Sequence, residues 1–96
     1  MVEIEWTKEA ENDLDDVMAY ISKTSIQYAR TFYENVHNSI ENLLHFPKIG
    51  RKVPESKKPQ DRELILQKYR IIYRLIEEEE KILIMMIIHG SRLLKI

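Results

Sequence analysis

The chain has 96 residues, 44% hydrophobic and 32% charged, with a formal net charge of −1. That length suits one soluble domain, spanning residues 1–96, with a single core and no room for two. No apolar run approaches the ~20 residues of a membrane span. The opening Met1-Val2-Glu3-Ile4-Glu5 lacks the basic and apolar regions of a signal peptide, so a cytoplasmic location is expected. Without cysteine there is neither a disulfide framework nor a thiolate metal centre.

The charge is unevenly spread. Residues 1–46 carry 3 basic and 9 acidic side chains, a net of −6, whereas residues 47–96 carry 12 basic and 7 acidic, a net of +5. A basic half is the footprint of a protein that meets a polyanion or an acidic partner. Charge balancing between helices and sheet explains it equally well.

Val2–Trp6 alternates apolar and polar residues and predicts a first strand. Thr7 can cap a following helix, whose first turn carries Glu9 and Glu11 at the positive end of its dipole. Ala10, Leu14, Val17, Met18 and Ile21 recur at helical spacing. Asp13, Asp15 and Asp16 fall mostly outside that stripe and read as a solvated face, not a divalent-metal site. Ser22–Ser25 predicts a turn, with Thr24 or Ser25 capping a second helix. Its stripe runs through Ile26, Ala29, Tyr33, Val36, Ile40, Leu43 and Leu44 towards Phe46, and Pro47 ends it. The two helices should pack as an antiparallel hairpin. His37 and His45 have no partner at ligand spacing and read as surface or helix-end residues.

Pro47–Gln60 predicts a loop, with Gly50 at a turn, and it is the most basic segment of the chain. Lys48, Arg51, Lys52, Lys57 and Lys58 could grip phosphates without reading sequence, or could be merely solvated.

From Arg62 to Arg92 three apolar runs are separated by short polar breaks. Tyr69–Ile76 alternates, with Tyr69, Ile71, Tyr73 and Leu75 on one face and Arg70, Ile72, Arg74 and Ile76 on the other. Tyr69 and Tyr73 should be core residues with their hydroxyls at the rim. Glu77–Glu80 predicts a turn. Lys81–Ile88 is apolar on both faces, as in a strand inside a sheet. The order strand, helix, helix, strand, strand, strand predicts an α+β fold. In it, a three-stranded antiparallel meander packs on the helical hairpin.

The candidate site is the exposed side and end of that sheet: Arg62, Lys68, Arg70, Arg74, His89 and Arg92. A guanidinium presents a planar fork that donates two charge-assisted hydrogen bonds to a phosphate. A histidine can move a proton near neutral pH. Together these would support attack of a 2′-hydroxyl on the adjacent phosphate. Alternatively, Arg62 and Glu63 with Arg70 or Arg74 are cross-strand ion pairs, and His89 is a hydrogen-bonded strand-end residue.

Several of these stretches resemble a known family in the same order. They are the opening EIEWTKEAENDL, the helix end LLHFPKIGRKVP, the REL before YRIIYRL, the long Ile-rich strand, and the closing H-G-x-R. From about Glu3 to Arg92 the chain resembles the RelE/ParE superfamily, the toxins of type II toxin–antitoxin modules and plasmid stabilisation proteins. The resemblance implies the same α+β fold, with the first strand beside the C-terminal ones. It implies a cognate antitoxin partner, with a heterotetramer as one arrangement, and no metal or cofactor.

It also implies two actions. One is a ParE-like growth inhibitor that binds DNA gyrase. The other is a RelE-like mRNA interferase, metal-independent and acting on the ribosome. In the ribonuclease branch, arginines matching Arg70 and Arg92 contact the scissile phosphate. The C-terminal tyrosine of that branch is missing, since the chain ends Leu93-Leu94-Lys95-Ile96. That leaves His89 as a substitute, with Lys68 or Glu63 as base. An inactive module that binds antitoxin and co-represses their operon is a third reading. The missing tyrosine favours the first.

Overall fold

The computed structural model describes residues 2–94. In chain order it contains β1 (Glu3–Trp6), α1 (Lys8–Ser22), α2 (Ile26–Glu41), β2 (Arg51–Lys52), β3 (Asp61–Leu66), β4 (Tyr69–Ile76) and β5 (Lys81–His89). A 3-10 turn at Asn42–Leu44 continues α2, and a second at Glu77–Glu79 joins β4 to β5. The five strands form one sheet in the order β1-β5-β4-β3-β2. β3, β4 and β5 are the expected antiparallel meander, and β1 pairs with β5 in parallel. The fold is α+β.

Both helices begin where the sequence places a cap. The Ala10 amide donates to Thr7 Oγ1 at 3.0 Å, and the Tyr28 amide donates to Ser25 Oγ at 3.0 Å. Each bond satisfies one of the donors that a helix start leaves without an intrahelical partner. Thr7 has a second task. Its hydroxyl donates to the Met85 carbonyl at 2.9 Å. Met85 is the extra residue of a bulge in β5, since Ile72 pairs with Met86 while Tyr73 pairs with Ile84.

The core lies between the hairpin and one face of the sheet. Ala10, Leu14, Ile21, Ala29, Phe32, Val36, Ile40 and Leu43 meet Ile71, Tyr73, Leu75, Ile82, Ile84 and Ile87 there. Three residues of the expected α2 stripe do not reach the core. Phe32 is fully buried, while Tyr33 is 46% exposed and Ile26 71% exposed. Leu44 also faces solvent. The stripe that reaches the sheet is therefore Ala29, Phe32, Val36 and Ile40, a spacing set by which face of α2 meets the sheet.

Two further expectations need correction. The Pro47–Gln60 loop contains the short edge strand β2, paired with Arg62 and Glu63. The Tyr73 hydroxyl is not at a rim. It accepts from the Gly50 amide at 3.0 Å and donates to the Pro47 carbonyl at 2.8 Å. A side chain at Gly50 would not fit, because a Cβ there would lie 2.6 Å from both the Glu63 carbonyl and that hydroxyl.

The sheet's second face carries the charged residues of β3 and β4 except Arg62. Asp61, Glu63, Arg70, Ile72 and Arg74 share it by register. Among the described residues no helix is long and apolar enough to cross a membrane, and no group of acidic or histidine side chains could hold a metal ion.

Candidate functional site

The structure divides the predicted site residues among three places. On the open face of the sheet, Arg70 is only 5% exposed. Its Nη1 and Nη2 donate to the two carboxylate oxygens of Glu55 at 2.8 and 2.7 Å, and its Nε donates to Glu63 Oε1 at 2.8 Å. Nη1 also reaches the Arg92 carbonyl at 3.1 Å. Glu63, itself fully buried, is shared with Arg51 of β2. The fork that would suit a phosphate is thus already filled by carboxylates of the same chain.

Arg74 repeats the arrangement four residues along the strand, donating to both oxygens of Asp61 at 2.6 and 3.1 Å. Ser56 donates to the same carboxylate at 2.7 Å. Burial pushes the Asp61 carboxyl up, but the hydrogen bonds from Arg74 and Ser56 outweigh it and leave the group lowered. The Arg70 hydrogen bonds, helped by the Leu94 amide, lower Glu55 from 4.5 to about 2. Hydrogen bonding to Glu55 and Glu63, against the cost of burial, raises Arg70 above the ordinary arginine range. Buried ions need partners of this kind, because an uncompensated charge in the interior is costly.

Arg62 sits on the opposite face, beside Tyr73. Its Nη1 donates to the Gly50 carbonyl at 2.8 Å and the Lys48 carbonyl at 3.2 Å, so it braces the loop. Lys52, Lys57 and Lys58 remain exposed on the loop and edge.

The third place is a cleft of about 460 Å³ where the end of the β4–β5 hairpin meets α1. Lys68, His89 and Arg92 line it together with Tyr20, Asp13 and Asp16. His89 pairs with Tyr69, on the helix side, while Arg70 pairs with Ile88 and points the other way. His89 and Arg70 therefore lie on opposite faces of the sheet. The Tyr69 and His89 rings meet edge to face at 5.6 Å. The Ser91 amide donates to His89 Nδ1 at 3.2 Å, which makes Nδ1 an acceptor and leaves the proton of a neutral ring on Nε2. Asp13 is occupied as well, accepting the Ile87 amide at 2.9 Å where β5 runs past the end of β1. The predicted set thus separates. Lys68, His89 and Arg92 come together, and Arg70, Arg74 and Arg62 do not join them.

Glu55 was not a candidate by pattern, yet it links the loop, the sheet and the C-terminal segment, accepting from Arg70 and from the Leu94 amide at 3.1 Å. One signal was available. Glu55 is the lone acid in the basic stretch Pro47–Gln60.

A family model for the ParE toxin of type II toxin–antitoxin systems, parDE, matches residues 4–94. The chain belongs to the ParE toxin family. Solved structures agree on the fold. The chromosomal ParDE system from P. aeruginosa aligns with a TM-score of 0.75 and 22% identity, over 95% of this chain and 98% of that one. The isolated E. coli RelE toxin aligns at 0.67 and 16% identity, over 97% and 88%. The intact E. coli RelBE toxin–antitoxin complex aligns at 0.67 and 16%, over 96% and 100%. No curated protein matches the sequence. This ParE-family chain therefore carries the shared toxin fold with its strand arginines Arg70 and Arg74 turned inward to carboxylates.

Proposed function

We propose that this ParE-family toxin inhibits growth by binding DNA gyrase, and that a cognate antitoxin neutralises it. The observation that carries this reading is the state of Arg70. A ribonuclease of the RelE kind needs a strand arginine free to hold the scissile phosphate and within reach of a proton-transfer group. Here that arginine is buried between Glu55 and Glu63, and His89 lies across the sheet from it. A toxin that works through protein contact has no such requirement. The ParE family match and the likeness to the P. aeruginosa ParDE structure support the same target class. An acidic antitoxin segment would complement the exposed cations of the C-terminal half, and an extended or helical segment could cover them.

One observation favours a second reading. Lys68, His89 and Arg92 line a single cleft, which could hold a phosphate without Arg70. A metal-independent ribonuclease would then use His89 to move the proton. Two assays on the purified protein separate the readings. Supercoiling of relaxed plasmid by gyrase should be blocked, while message in a cell-free translation reaction keeps its 5′ ends. New 5′ ends on translated message, with gyrase unaffected, would replace the gyrase reading with the ribonuclease one.

A further inference from the structure

We propose that the cleft between β1, α1 and α2 seats an arginine side chain presented by a partner protein. This site is separate from both the Arg70 network and the His89 cleft, and the inference does not depend on which target the toxin has.

The cleft has a volume of about 360 Å³ and is walled by Trp6, Tyr33 and His37, with Lys8, Glu11 and Asp15 around it. The Tyr33 and His37 rings lie 4.4 Å apart, and Trp6 and His37 5.5 Å apart. Three aromatic rings thus converge on one space. Tyr33 keeps nearly half its surface in water although α2 has a buried stripe next to it.

The chemistry of the wall selects the occupant. Aromatic faces carry negative electrostatic potential and attract cations, tryptophan most strongly. Glu11 and Asp15 stand four residues apart on one face of α1 and add two carboxylates against the single ammonium of Lys8. An anion would be repelled, and an apolar group would desolvate the carboxylates without pairing them. His37 Nε2 is buried and has no hydrogen-bond partner among the described residues. Guanidinium is planar, stacks on rings, and carries five N–H donors, so arginine fits better than lysine. The surroundings agree, since residues 1–46 carry a net charge of −6.

Trp6 is the only tryptophan, so tryptophan fluorescence reports on the wall of this cleft, and the charge changes at Glu11, Asp15 and Lys8 tie a response to this side of Trp6. The test titrates the protein with the tripeptide acetyl-Gly-Arg-Gly-amide. The matched control contains citrulline, which has arginine's shape without its charge. The arginine peptide should change Trp6 emission saturably, with a dissociation constant on the order of millimolar, and the citrulline peptide should not. The exposed double change Glu11→Gln with Asp15→Asn should weaken binding about tenfold. Lys8→Gln should tighten it, a direction that a purely structural role for Lys8 would not produce. Circular dichroism controls for folding. Equal responses to the two peptides, no saturable response to either, or an affinity indifferent to all three charge changes would each overturn the proposal.

Discussion

Arg70 shows how little a side chain's identity says about its availability. Its strand position and face were legible from alternation, and a cross-strand pairing with Glu63 was one of the two readings the sequence allowed. Burial was not legible, because it depends on Glu55, which arrives from a loop fifteen positions earlier and closes the other side of the guanidinium. The pairing has a testable pH signature. The Glu55 carboxyl drops from 4.5 to about 2 in the folded protein, chiefly through the Arg70 hydrogen bonds. A lowered folded-state value means that ionised Glu55 contributes its full stability above pH ~4.5 and loses it as the pH falls towards ~2. Urea midpoints of wild type and Glu55→Gln should therefore differ most near pH 6 and converge only as the pH approaches 2. A difference that stays constant over that range would show that Glu55 acts by shape and not by charge.

Among the elements, those with a strong period were readable and those held by a few distant contacts were not. The helix hairpin, the caps Thr7 and Ser25, and the meander follow from period and capping chemistry. β2 is two residues long, too short for any period to show. The α2 stripe moved from Tyr33 to Phe32 because two aromatic residues stand side by side and only the docking angle chooses between them. Tyr73 lay on the expected face, but its hydroxyl belongs to the loop. By holding the Gly50 amide and the Pro47 carbonyl it pins the segment between α2 and β2 to the sheet. Tyr73→Phe leaves both backbone groups without that partner and should cost about 1–3 kcal/mol in chemical denaturation. It should also speed amide exchange at Gly50, while α1 exchanges as before. Unchanged exchange at Gly50 would mean that Arg62, which holds the Gly50 carbonyl, suffices alone.

For the whole molecule, the charge polarity seen in the sequence survives folding in reduced form. Arg51, Arg70 and Arg74 of the basic half are matched by Glu55, Asp61 and Glu63 of the same half. The exposed positive charge is left mainly to Lys52, Lys57, Lys58, Lys68 and Arg92. Composition reports how many charges a half carries, and only the fold reports how many of them cancel. That network also holds the closing segment, since Arg70 holds the Arg92 carbonyl and Glu55 holds the Leu94 amide. Ending the chain after Gly90 should remove both bonds, destabilise the protein by about 2 kcal/mol, and leave the far-ultraviolet circular dichroism of the helices in place. Stability equal to wild type would show that the closing segment rests on the sheet without bracing it.

The single extra residue in β5 has a consequence for what this fold can become. Side chains alternate along a strand, so one inserted position reverses the phase of everything after it. Ile82 and Ile84 face the helices before Met85, and Ile87 and His89 face them after it. In an uninterrupted strand His89 would project with Arg70 onto the open face, and the imidazole and guanidinium would share one surface. The bulge thus works as a parity switch between two chemistries of one scaffold. Thr7, whose hydroxyl holds the Met85 carbonyl from the start of α1, locks that switch from the far end of the sequence.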